Sequence, residues 1–164
     1  MKFRFFFALF FLIPVLTMHG EGLFQGFDKA AFYSVMASGN MQEIDAEISI
    51  VQGAILKEKE GYEGALMMRK AGLLTRPKEK LAVFKSGYLK LESALAKDSS
   101  NGEYHFLRLT IQEHAPRVVK YYKDQENDRQ HVYRSFKSLS PIVQQAILDY
   151  SKHSKILRVK ELNG

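Results

Sequence analysis

Apolar residues recur along this chain every three or four positions, and that spacing is the strongest constraint on what it can fold into. Leu81, Phe84, Tyr88, Leu91 and Leu95 fall at steps of 3, 4, 3 and 4, which draws one stripe down a single helix face. Met41, Ile44, Ile48, Val51 and Ile55 repeat the pattern. No segment alternates apolar and polar residues between hairpin turns, as a half-buried strand would. The chain is expected to be all-α, a compact array of about six to seven helices packed as antiparallel helical hairpins.

The residues between the stripes set the helix ends. Residues 28–38 form a first helix, with Gly39 placed for a left-handed cap. Asn40 caps the second helix, and Glu43 can complete a capping box. A third helix over residues 57–71 contains Gly61 and Gly64, each costing about 1 kcal/mol relative to alanine. Close approach of another helix would give those glycines a reason. Pro77 suits the first turn of the fourth helix, whose stripe is expected in the core. Residues 98–102 are a turn, with Ser100 and Glu103 as a second capping box, and the helix that follows runs to His114. Pro116 breaks it. Residues 117–137 are expected to be helical, interrupted near Asn127 and Asp128, with Val118, Tyr122, Val132 and Phe136 inward. Ser140 and Pro141 open the last helix, which carries Val143, Ile147 and Tyr150 on one face.

The N-terminus supplies an address. Lys2 and Arg4 precede an apolar run over residues 5–15, and Gly20-Glu21-Gly22 offers a small-x-small site, which together read as a secretory signal peptide. The run is short of the ~20 apolar residues a membrane span needs. Residues 1–22 are therefore expected to be a signal peptide, residues 23–154 a single helical domain, and residues 155–164 a basic tail that frays. The mature protein is expected in the periplasm or outside the cell. With no cysteine, disulfides, thiolate nucleophiles, thiolate metal sites and a lipid-modified N-terminal cysteine are all excluded.

The formal net charge is +6, and its distribution is uneven. Residues 23–116 carry as many acidic as basic side chains, whereas residues 117–164 carry twice as many basic as acidic. Arg117, Lys120, Lys123, Arg129, Arg134 and Lys137 are accordingly the expected interaction surface. Export argues against nucleic acid and leaves a protein or an anionic cell-envelope component as partner. Contact with a membrane surface is a third reading. It needs an apolar face opposite Lys152, Lys155, Arg158 and Lys160.

Local signatures of catalysis are missing. There is no Gly-x-Ser-x-Gly elbow, no serine with lysine three residues on, no His-Glu-x-x-His and no phosphate or dinucleotide loop. No catalytic residue, cofactor or metal is assigned. His105 and His114 lie nine apart, about 180° around one helix, and cannot share a metal ion from it. Asp128 and His131 are three apart, a spacing that places carboxylate and imidazole on one face, but the second such pair of a ferritin-like centre cannot be found. Tyr104, His105, Arg108 and Glu113 could gather polar groups at one helix end. The leading expectation is a non-enzymatic binding protein. An exported hydrolase acting on envelope sugar or peptide is the alternative, its acids brought within about 5 to 10 Å by the fold.

The stretch from Leu91 to Tyr104, with Ala94 and Asp98 before a polar turn, resembles the junction between tetratricopeptide repeats, although Ser99 stands where that family has proline. The resemblance implies a helical-hairpin array and carries over no peptide groove. The whole chain is similar to small exported bacterial proteins of unassigned function, which combine a signal peptide with a compact helical domain. That likeness implies no catalytic residue.

Overall fold

Caps and chain breaks divide the described residues into eight α-helices, with no strand among them. The structure, a computed structural model, describes residues 26–116 and 119–162; the expected signal peptide, Arg117 and Val118 lie outside them. The helices are α1 (Lys29–Ser38), α2 (Met41–Gly53), α3 (Lys59–Leu73), α4 (Pro77–Lys97), α5 (Gly102–His114), α6 (Gln125–Ser135), α7 (Pro141–Ser151) and the single turn α8 (Val159–Leu162). A 3-10 turn over Phe136–Ser138 extends α6. Gly39 closes α1 at φ 67°, the left-handed cap its position predicts. Asn40 then accepts from the backbone N–H groups of Gln42 and Glu43, while its side-chain amide donates to Glu43.

One capping expectation is corrected. Asn101, not Ser100, caps α5, accepting from the backbone N–H groups of Glu103 and Tyr104. Ser100 turns instead to Asp98, and the Glu103 carboxylate leaves its own helix end for partners in α1 and α3.

Helices α3 and α4 approach backbone to backbone. A Cβ on Gly64 would lie 2.6 Å from the Leu91 nitrogen and 2.8 Å from the Gly87 carbonyl oxygen, so only a residue without one fits. The expected reason for this glycine is therefore found, and Gly87 supplies the other half of it. Glu63 pairs with Lys90, and Glu60 with Lys97. The partners run in opposite directions along the two helices, so α3 and α4 are antiparallel.

The α4 stripe divides in two. Leu91 and Leu95 are buried, but Leu81 is 60% exposed and Tyr88 38%, because the first half of the stripe faces a groove instead of the core cluster. The expectation that the whole stripe is core is thus corrected for its first half. Ile55 is a similar case: α2 ends at Gly53, and Ile55 stands fully exposed beyond it.

Helix α5 is the centre of the fold, with residues 102–109 all buried. Tyr104, Leu107 and Ile111 join one apolar cluster with Phe32, Ile44, Val51, Tyr62, Leu66 and Leu91. Phe106 and Leu109 join a second with Val132, Phe136, Val143, Ile147, Leu157 and Leu162. Burial of Leu157 and Leu162 ties down the tail that was expected to fray. Residues 120–124 are not helical, and they reverse one sequence expectation: Tyr121 is the inward residue, 8% exposed, and Tyr122 the outward one, 47% exposed.

Candidate binding groove

The exposed half of α4 forms one wall of a groove of about 1870 Å³. Its floor includes Met68 of α3 and Leu107 and Ile111 of α5. Tyr33 of α1 and Ile142 of α7 belong to the facing walls, and the lining is predominantly apolar. Along this wall Phe84 packs partly against the core cluster, whereas Leu81 and Tyr88 remain exposed.

Tyr121 anchors one end. Its ring meets Phe84 edge-on at 5.7 Å and Tyr88 at 5.3 Å, geometry that aromatic quadrupoles favour. Its hydroxyl donates to Glu92 at 2.7 Å. Burial, then the Glu92 charge, pushes that hydroxyl's pKa well above the usual tyrosine range, so it stays a donor. The other Glu92 oxygen accepts from Arg108 at 2.9 Å.

Arg108 continues the network inward. Two of its nitrogens donate to the fully buried Asp128 at 2.8 and 2.6 Å, a bidentate pair that fixes both side chains. Burial works against the guanidinium charge, but the bonds and charge of Asp128 more than offset it, and the pKa is raised. His105 Nδ1 lies 2.6 Å from Asp128, and its Nε2 lies 2.8 Å from the Ser99 carbonyl oxygen. His131 stacks on the His105 ring at 3.9 Å and 10°. The Asp128 and His131 spacing therefore does not make a shared site: Asp128 turns inward to α5, and His131 covers the neighbouring imidazole. In a hollow of about 400 Å³ over His105, Arg108 and His131, the first two are already hydrogen-bonded and the third stacks on His105.

The remaining polar residues separate. Glu103 accepts from Tyr33 at 2.8 Å, Tyr62 at 3.0 Å and Lys29 at 3.0 Å, which raises both tyrosine pKa values, burial being the larger cause. Burial and nearby carboxylates push the Tyr104 hydroxyl up to about 12. Glu113 holds the C-terminal segment, accepting from Tyr150, Ser154 and the Lys155 backbone. Tyr104, His105, Arg108 and Glu113 thus do not form one polar site.

The expected basic surface is dispersed as well. Lys120 and Lys123 line the groove, Lys120 with a left-handed φ of 53° in the turn that points Tyr121 inward. Arg129 is engaged by Glu126 and Glu161 and lies over the Tyr133 ring. Arg134 is exposed on α6 and reaches Gln130 at 3.5 Å. Lys137 is exposed beyond that helix, and Arg117 is outside the described residues. The groove adds Lys80 and Lys85 of α4, which charge counting missed because acids balance that part of the sequence. No carboxylate lies within ion-pair distance of Lys80, Lys85, Lys120 or Lys123 among the described residues. No protein-family model matches the chain, and neither a curated protein nor a solved structure is significantly similar to it.

Proposed function

We propose that this chain is an exported, non-enzymatic binding protein that holds an acidic protein partner in the groove. The carrying observation is the combination of an apolar lining with four lysines, Lys80, Lys85, Lys120 and Lys123, that have no ion-pair partner among the described residues. Apolar contacts supply affinity there, and the lysines select an anionic partner and speed its encounter. The groove carboxylates favour binding over hydrolysis. Glu92 is held by Arg108 and Tyr121, and Asp149 by Gln145 and Lys152, which leaves Asp124 as a single exposed lining carboxylate without the second free acid that glycoside hydrolysis uses. A membrane-surface role is less well supported, because Val143, Ile147 and Leu157 lie in the core instead of opposite the C-terminal lysines.

Recovery of partners from the cell-envelope fraction tests the reading when wild type is compared with two charge-reversal variants. Lys80→Glu with Lys123→Glu should lose the partner and its salt sensitivity, while Lys57→Glu with Lys155→Glu should retain both. Equal recovery by the two variants would remove the groove as the site.

A further inference from the structure

The bare half of α4 also indicates the shape of what fills it. Leu81, Phe84 and Tyr88 continue, at the same 3 and 4 steps, the stripe whose Leu91 and Leu95 are packed in the core. Such a stripe is a row of knobs that fits between the side chains of a second helix. In the C-terminal half of α4 that role is filled by the core cluster, with Tyr62 and Leu66 of α3 and Tyr104 and Leu107 of α5. In the N-terminal half the position is open to the groove.

Size and charge narrow the occupant. A helix with its side chains is about 10–12 Å across, so a ten-residue segment occupies about 1,400 Å³, comparable to the 1870 Å³ groove. Small-molecule pockets run to about 1,000 Å³. Lys80 and Lys85 flank the stripe on α4, and Lys120 and Lys123 stand beside Tyr121, so acidic residues bordering the incoming apolar face would meet lysines that pair with no carboxylate among the described residues.

We infer that the groove receives an amphipathic helix of another protein, apolar on the face laid against Leu81, Phe84 and Tyr88 and bordered by Asp or Glu. This rests on the binding-groove reading above and specifies the partner segment's conformation and charge. Recognition is of the helix-in-groove kind, with anchors at i, i+3 or i+4, and i+7.

Photo-crosslinking of the full chain in the producing cell tests it, with p-benzoylphenylalanine in place of Leu81, of Tyr88, or of Lys57 on a distant surface. Expected are protein adducts from the first two positions and none from the third. The linked peptide, mapped by mass spectrometry, should carry apolar residues at helical spacing flanked by acids, and introducing a proline at its centre should abolish the adduct. Lys80→Glu with Lys85→Glu should lower adduct yield about tenfold. Adducts to a protein segment without that pattern, or indifferent to the proline, would overturn the helix while leaving the groove as a protein-binding site. Adducts only to lipid, to a second copy or to residues 1–25 of this chain would overturn the partner helix and the acidic-protein reading together, as would the absence of any adduct from positions 81 and 88.

Discussion

Gly64 and Gly87 face each other across the α3–α4 contact, a Cβ on either falling within 2.8 Å of the other's carbonyl oxygen. Backbone cannot move aside as a flexible side chain can. Gly64→Ala should therefore destabilise the protein by about 1–3 kcal/mol or more. Gly72→Ala, in the same helix with nothing near its would-be Cβ, should be neutral or stabilising by up to about 1 kcal/mol. Chemical denaturation of the two variants checks the contrast, and equal midpoints would mean that the helices are not in contact there.

The two halves of the α4 stripe should respond differently to the same truncation. Leu91→Ala removes a side chain at 0% exposure and should cost about 2–5 kcal/mol. Leu81→Ala, at 60% exposure, should stay within about 0.5 kcal/mol. Urea midpoints measure both, and a large loss at position 81 in the isolated protein would show that the groove wall is already covered.

Asp128 neutralises Arg108 and meets His105 in the interior. Asp128→Asn leaves the guanidinium without its main counter-charge and should cost about 3–5 kcal/mol, the usual penalty for breaking a buried pair. The exposed Asp124 has no such partner, and Asp124→Asn should be nearly silent. Thermal melts at neutral pH distinguish them. Loss of near-ultraviolet tyrosine ellipticity in the first variant would report that Tyr121 has been released through Glu92.

Acid should weaken the fold through His131. Burial first, and then the neighbouring His105, hold its pKa below the ordinary imidazole value. Between that lowered value and about 6.5 the unfolded chain binds more protons at this residue than the folded one, so its contribution to stability falls as pH falls through the window. His131→Phe keeps a flat ring against His105 and removes the titration. Wild type should lose more denaturant resistance than the variant between about pH 7.5 and about pH 5. Identical losses would assign the acid sensitivity elsewhere.

Helix positions were legible in the sequence because caps and periodicity act locally. Gly39, Asn40, Pro77 and Pro141 do in the fold what their residue types favour. Burial was less legible. Spacing aligns Leu81 with Leu91 but does not tell whether a neighbour reaches both, so the groove wall read as core. Tyr121 and Tyr122 are chemically equal, and only the turn at Lys120, together with the reach to Glu92, decides which is inward. The partners of Asp128 come from residues 20 and 23 positions away, beyond any local motif. Lys120 and Lys123 were visible as part of a charge excess, whereas Lys80 and Lys85 were hidden by nearby acids that do not pair with them.

Because both apolar clusters close on α5, neither can come apart while leaving the other's wall intact. That shared helix should join the two sides of the molecule into one cooperative unit, despite the non-helical residues 120–124 before α6. Amide protons in the middle of α5 would then exchange with solvent only when the whole domain opens. Those at the start of α4, where no neighbour covers the helix, would exchange through local fraying. The face offered to a partner is thus also the part of the fold with the least to lose by moving.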